Sequence, residues 1–193
     1  MNNTLRIYGF SNESVVDGPG IRVVIFVQGC DNACPGCHNP NSWDITGGDE
    51  YTIRDLIKKI RKAARGGVGN SNPVFTPRTS SPDKKPPSQK IRGVTFSGGE
   101  PFLQASGLAQ IGKAVKGLGL DITTYTGHTY EELAQSEDIN TKALLDITDY
   151  LIDGPYIQEQ RDISLRFRGS CNQRIIDMGK TREAGAVVLY EEH

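Results

Sequence analysis

The sequence lacks any apolar run long enough to cross a bilayer; its most hydrophobic segments are the length of strands. It also lacks a basic N-terminal patch followed by an apolar stretch, so a secretory signal is not expected. Charge of neither sign dominates: 22 Lys and Arg stand against 23 Asp and Glu, a net −1. That balance removes bulk electrostatic binding to nucleic acid or to an acidic membrane. No internal repeat is visible. Cysteine is scarce, four in all. Without an export signal, these four read as reduced ligands in the cytoplasm and not as a disulfide framework. What remains is a chain of 193 residues, 36% hydrophobic and 23% charged, sized for one domain with a real core.

The scarce cysteines are concentrated. Three of them fall in Gly29-Cys30-Asp31-Asn32-Ala33-Cys34-Pro35-Gly36-Cys37-His38, spaced Cys-x3-Cys-x2-Cys, directly after the β-branched run Ile21 to Val27. A short loop leaving a strand can turn three sulfurs inward on one metal centre. A structural zinc site asks for four protein ligands, and an iron–sulfur cubane is normally held by four cysteines. Three local thiolates therefore leave one corner open. A zinc knuckle would need His38 or the distant Cys171 as fourth ligand, yet adjacent Cys37 and His38 side chains diverge and Cys171 lies in a remote segment. An iron–sulfur cluster with three protein ligands fits better, and a buried set of free thiols fits least.

The rest of the chain alternates strand and helix. Leu5 to Phe10 reads as a first strand, leading into the turn Asp17-Gly18-Pro19-Gly20. Ile21 to Val27 is a strand covered on both faces. A helix follows over Thr52 to Arg65, with Ile53, Leu56, Ile57, Ile60 and Ala64 on one face and a capping box of Thr52 and Asp55. Gly66 to Lys90 holds five of the ten prolines and reads as a flexible surface insertion. Strands return at Ile91 to Phe96, Leu120 to Tyr125 and Tyr150 to Ile152. Helices are expected over Ser106 to Leu118, Tyr130 to Ala134 and Thr141 to Leu145. Such alternation implies a parallel sheet with right-handed crossovers.

Four loops follow the C-terminal ends of these strands: the cysteine loop, Ser97-Gly98-Gly99-Glu100, Tyr125-Thr126-Gly127 and Asp153-Gly154. In parallel α/β folds that edge binds ligands. Gly98-Gly99-Glu100 by itself is a common strand-to-helix turn with a surface glutamate. Beside three cysteines on the same edge it reads as a ligand loop, with glycines admitting a small molecule and Glu100 accepting from a cationic amine.

These features together resemble the radical S-adenosylmethionine superfamily, and within it the activases of glycyl-radical enzymes. The resemblance is carried by Asp17-Gly18-Pro19-Gly20-Ile21-Arg22, Gly29 to Pro40, Trp43-Asp44, Ser97 to Pro101, Tyr125-Thr126-Gly127, Leu151 to Gly154, Arg168-Gly169-Ser170 and Asn172-Gln173-Arg174. It implies an incomplete (β/α) barrel of mostly parallel strands, open on one side, formed by residues 1–193 as a single domain. It implies a [4Fe–4S] cluster on Cys30, Cys34 and Cys37, its fourth iron open to S-adenosylmethionine. By position, Gly98, Gly99 and Glu100 would take the methionine amino end. Gly36, Cys37 and His38 would meet the adenine, and Thr124, Tyr125 and Thr126 the ribose or adenine. No catalytic side chain is expected beyond cluster and S-adenosylmethionine.

The implied protein partner is the anaerobic ribonucleoside-triphosphate reductase, with flavodoxin or another low-potential donor supplying the electron. Asp17 to Arg22 would contact the incoming glycine loop, a plain turn being the other reading. An activase of pyruvate formate-lyase and a zinc-stabilised binding module remain as alternatives. The chain departs from the family pattern in the length of the 66–90 segment and at Cys171, where serine is expected.

Overall fold

A computed structural model describes residues 3–66 and 90–191; the proline-rich insertion expected over 66–90 lies almost wholly outside them. Seven strands form one open sheet: β1 (Thr4–Ser14), β2 (Arg22–Val27), β3 (Asp49–Thr52), β4 (Gly93–Gly98), β5 (Asp121–Tyr125), β6 (Tyr150–Asp153) and β7 (Arg174–Asp177), in the order β3-β1-β2-β4-β5-β6-β7. The four central strands β2, β4, β5 and β6 run parallel, with Arg22 to Val27 in register against Gly93 to Gly98. Both flanks are antiparallel, β3 and β1 on one side and β7 on the other. The sheet does not close, as the family resemblance implies.

Helices fill one side of the sheet: α1 (Ile53–Ala64), α2 (Ala105–Lys116), α3 (Tyr130–Gln135), α4 (Ile139–Ile147) and α5 (Met178–Ala184). α1 starts where Thr52 accepts a hydrogen bond from the Asp55 amide, the expected cap. Its buried residues Ile53, Leu56, Ile60 and Ala63 follow helical spacing. They meet Val23, Ile25 and Val27 of β2, Val94 and Phe96 of β4 and Leu108, Ile111 and Val115 of α2 in the main core. Each such side chain contributes roughly 1.5–3 kcal/mol when fully buried. A second cluster, Leu133, Leu145, Leu151, Ile176 and Met178, secures the far flank.

Strand alternation turns the intervening residues of β2, β4 and β5 to the opposite, concave face. At its N-terminal end lies Arg22, with no exposed surface. Its guanidinium donates to Thr95 Oγ1 at 2.8 Å, Pro19 O at 2.9 Å and Val94 O at 3.0 Å, and pairs with Asp121 at 2.6 Å. Burial lowers the Arg22 pKa while Asp121 raises it. Arg22 therefore plugs the floor of the barrel and holds the 17–20 turn in place.

β3, β7 and α5 were not expected from the sequence, and the parallel pairing expected of the first strand is antiparallel in the structure. The connection over residues 15–21 explains the reversal: it is too short for the crossover that a parallel pair needs.

Candidate functional site

The C-terminal ends of the parallel strands surround a cavity of about 670 Å³. Its wall includes Cys30, Cys34, Cys37, His38, Ser97, Gly98, Gly99, Glu100, Tyr125, Thr126 and Gly127. Three sequence segments far apart in the chain thus meet on one surface, and Gly154 at the end of β6 joins them.

The cysteine loop leaves β2 through Gln28 and Gly29 and is closed at its neck. Gly29 N donates to Ser42 O at 2.7 Å and Cys30 N to Trp43 O at 3.1 Å. The Gln28 amide donates to Asp44 O at 2.7 Å and Asn41 O at 3.1 Å. Inside the loop, Cys37 N donates to Cys34 O at 3.1 Å. All three thiols are half-buried and free of disulfides. Burial pushes the Cys30 thiol up, opposed by hydrogen bonds from Asn32.

Among the described residues, no three His, Cys, Asp or Glu side chains converge tightly enough for a single metal ion. A lone zinc draws all its ligands to one point at about 2.3 Å. A cubane asks for something different, because each cysteine binds a separate iron and the sulfurs stand apart. Three free thiols on one loop, with no fourth protein ligand beside them among the described residues, suit a cluster that leaves one iron open better than a structural zinc site that asks for four. Two buried donors on wall residues, Trp43 Nε1 and Arg168 Nε, have no acceptor among the described residues. A ligand rich in acceptors suits such a wall.

Glu100 is the hub of the edge. It is 1% exposed and accepts four hydrogen bonds. Phe102 N and Thr126 Oγ1 donate to Oε1, both at 3.0 Å; Gly127 N and Asn32 Nδ2 donate to Oε2 at 2.9 and 3.2 Å. A carboxylate has about four lone-pair sites, so the protein itself occupies them. Burial pushes the Glu100 pKa up, and its donors pull it down. The surface glutamate of the simple turn is thus a buried clamp joining the cysteine loop to the end of β5.

The two glycines before it serve close approach, but between protein segments. A Cβ on Gly98 (φ +101°) would meet Val27 N at 2.5 Å and Val27 O at 2.6 Å. One on Gly99 would collide with the carbonyl of Gly29, and Gly99 N donates to Val27 O at 2.8 Å. They let β4 press against the base of the cysteine loop.

The remaining expected residues divide. His38 lies on the cavity wall with its ring 5.2 Å from that of Tyr156. Gly36 is off the wall, and a side chain there would strike Gln158. Tyr125 and Thr126 face the cavity. Thr124 does not: its hydroxyl lies 2.9 Å from that of Thr148, fully buried on the helix side. Alternation along β5 sends neighbours to opposite faces, so Thr124 and Tyr125 cannot both reach one ligand. Cys171 is exposed and away from the wall.

Arg168 and Gly169 stand out in the sequence only through the family resemblance, and the strap over residues 163–169 was not expected to line the cavity, as it does. Tyr125 Oη donates to Phe167 O at 2.7 Å, and burial pushes that phenol far above its usual range. The 168–174 segment holds the strap down: Gly169 N donates to Gln173 Oε1 at 2.9 Å, and Gln173 Nε2 to Gly154 O at 3.1 Å. Arg174 grips the buried Asp153 at the end of β6 with Nε at 3.0 Å. Val15 and Val16 complete the rim, both exposed. No local pattern in the sequence marks these contacts.

Comparison with known proteins shows the family. Residues 16–176 match the family model of the 4Fe-4S single cluster domain. The anaerobic ribonucleoside-triphosphate reductase-activating protein of Vibrio cholerae is 37% identical over 165 residues, covering 83% of this chain and 90% of the relative. Its counterpart in Escherichia coli K12 is 31% identical, covering 82% and 90%. The pyruvate formate-lyase-activating enzyme of Clostridium pasteurianum is 37% identical over 153 residues, 77% of this chain and 55% of that enzyme. Among solved structures, QueE from Escherichia coli matches 66% of this chain and 54% of its own at 17% identity, with a TM-score of 0.42. Among the described residues no helix is long and apolar enough to cross a membrane.

Proposed function

This chain belongs to the family of anaerobic ribonucleoside-triphosphate reductase-activating proteins and carries a 4Fe-4S single cluster domain, and from that premise we propose that it installs the glycyl radical of such a reductase. One observation carries the reading: three free cysteines share a cavity wall with the Gly98–Glu100 and Tyr125–Gly127 loops. When bound, a [4Fe–4S] cluster supplies one electron that splits S-adenosylmethionine into methionine and a 5′-deoxyadenosyl radical, which takes hydrogen from a glycine of the reductase.

The chain's own residues bind, orient and shield. Cys30, Cys34 and Cys37 would hold the cluster and leave it open to S-adenosylmethionine. The Gly98–Glu100 edge seats the methionine end, with Glu100 acting by fixing Asn32, Thr126 and Gly127 in position. His38 and Tyr156 present tilted rings against which a purine can lie. Tyr125 at the end of β5 and Thr126 just beyond it are available to the ribose; Thr124 is excluded by its face. Arg168 and Trp43 offer unpaired donors to the ligand's acceptors. The strap over 163–169 narrows the mouth and limits water and oxygen. Cubane potentials reach down to roughly −700 mV, so a strongly reducing donor of the flavodoxin kind is required.

The test combines the full chain, reconstituted without oxygen, with S-adenosylmethionine, a strong reductant and the reductase. A glycyl doublet in electron paramagnetic resonance on the reductase is the expected result. Cleavage of S-adenosylmethionine with a doublet on pyruvate formate-lyase instead would assign the other activase. One zinc and no labile sulfide would end the reading.

A further inference from the structure

Asn32 occupies an unusual place between the cysteine loop and the edge of the sheet. Its amide nitrogen stands 3.7 Å from Cys30 Sγ and 3.2 Å from Glu100 Oε2. A primary amide has two N–H donors, and this arrangement directs one at the sulfur and one at the carboxylate. Glu100 cannot swing away, because Phe102 N, Thr126 Oγ1 and Gly127 N fix it from the other sides. Gly127 closes the remaining space: a Cβ there would lie 2.5 Å from Asn32 Nδ2 and 2.7 Å from its Cγ. The amide is thus held against the sulfur by a buried carboxylate and a glycine whose lack of side chain makes the seat.

We propose that Asn32 is a positioning residue that sets the reduction potential of the cluster through its N–H···S contact with Cys30. The inference rests on the cluster reading above. Reduction adds negative charge to the cluster and its thiolates. A donor aimed at one of those sulfurs stabilises the reduced form more than the oxidised one, and so raises the potential. The backbone also contributes, since Asn39 N donates to Cys37 Sγ at 3.4 Å. Asn32 is the side-chain donor on these sulfurs among the described residues, and it is tied through Glu100 to the loop that seats S-adenosylmethionine.

The experiment is a redox titration, followed by electron paramagnetic resonance, of the anaerobically reconstituted full chain and of Asn32→Ala and Gly127→Ala. Iron and sulfide are counted in each. Both variants are expected to retain full cluster content and to titrate at a more negative midpoint. At a fixed poise the reduced-to-oxidised ratio falls severalfold, with an upper bound of about tenfold, which is 59 mV for a one-electron couple. Gly127→Ala keeps the Asn32 side chain and only displaces its amide, so a matching shift separates the contact from simple loss of a side chain. A filled Asn32→Ala cluster with the parent midpoint overturns the proposal. Loss of the cluster from both variants also overturns it, by assigning Asn32 to loop structure. An unmutated chain that takes up no four-iron cluster defeats the parent reading, an outcome distinct from either.

Discussion

Replacing Glu100 by alanine removes the acceptor of four hydrogen bonds at once. Asn32, half-exposed, can turn its amide to water, but Phe102 N, Gly127 N and the Thr126 hydroxyl are left facing a void. Each stranded donor costs about 1–3 kcal/mol, partly offset because a buried carboxylate no longer has to be desolvated. A net loss of about 3 kcal/mol follows, a large share of the roughly 5–15 kcal/mol that holds a domain folded. For a urea slope of about 2 kcal/mol/M the midpoint of the cluster-free chain should fall by about 1.5 M. Working without the cluster separates this effect from any role in ligand binding. A carboxylate kept only for a ligand would leave the midpoint unchanged or raise it on removal. A fall of less than about 0.5 M, with unaltered circular dichroism, would therefore refute the clamp.

Cys34→Ala should abolish cluster uptake in anaerobic iron and sulfide analysis, whereas Cys171→Ser should leave it intact, since Cys171 is off the cavity wall. Thr124→Val should cost about 1 kcal/mol in denaturant melts through the lost contact with Thr148, while S-adenosylmethionine affinity by equilibrium dialysis stays unchanged. Acid should weaken the far flank: hydrogen bonds from Arg174 hold Glu131 below its ordinary 4.5. A depressed carboxylate contributes above its unfolded pKa and loses that contribution as pH falls through the folded value. Glu131→Gln should then flatten the pH dependence of the melting midpoint below about pH 4.5.

Much of the parallel centre was legible because its signals are local. β2 announces itself as a β-branched run, α1 by its cap and apolar stripe, and the cysteine spacing by its own density. The antiparallel start of the sheet was not read, although the short connection over residues 15–21 cannot bridge a parallel pair. Alternation along β5 likewise excludes Thr124 once Tyr125 is placed. Other features carry no local mark. β3 is four residues of mixed polarity, paired only through β1. Glu100 looks like any turn glutamate until Asn32, 68 positions earlier, and Thr126 and Gly127 are folded onto it. The glycines before it suggested room for a ligand, and only the register of β4 beside β2 reveals that they also admit the backbone of Val27 and Gly29.

The neck of the cysteine loop is fastened by protein alone, through Gln28, Ser42 and Trp43. A zinc finger collapses when its metal leaves, because ion binding and folding are one event. The hydrogen bonds of this neck ask for no metal, so a cluster lost to oxygen should leave them in place. Renewal after exposure to air is then expected to need refilling with iron and sulfide, and no fresh round of folding or synthesis.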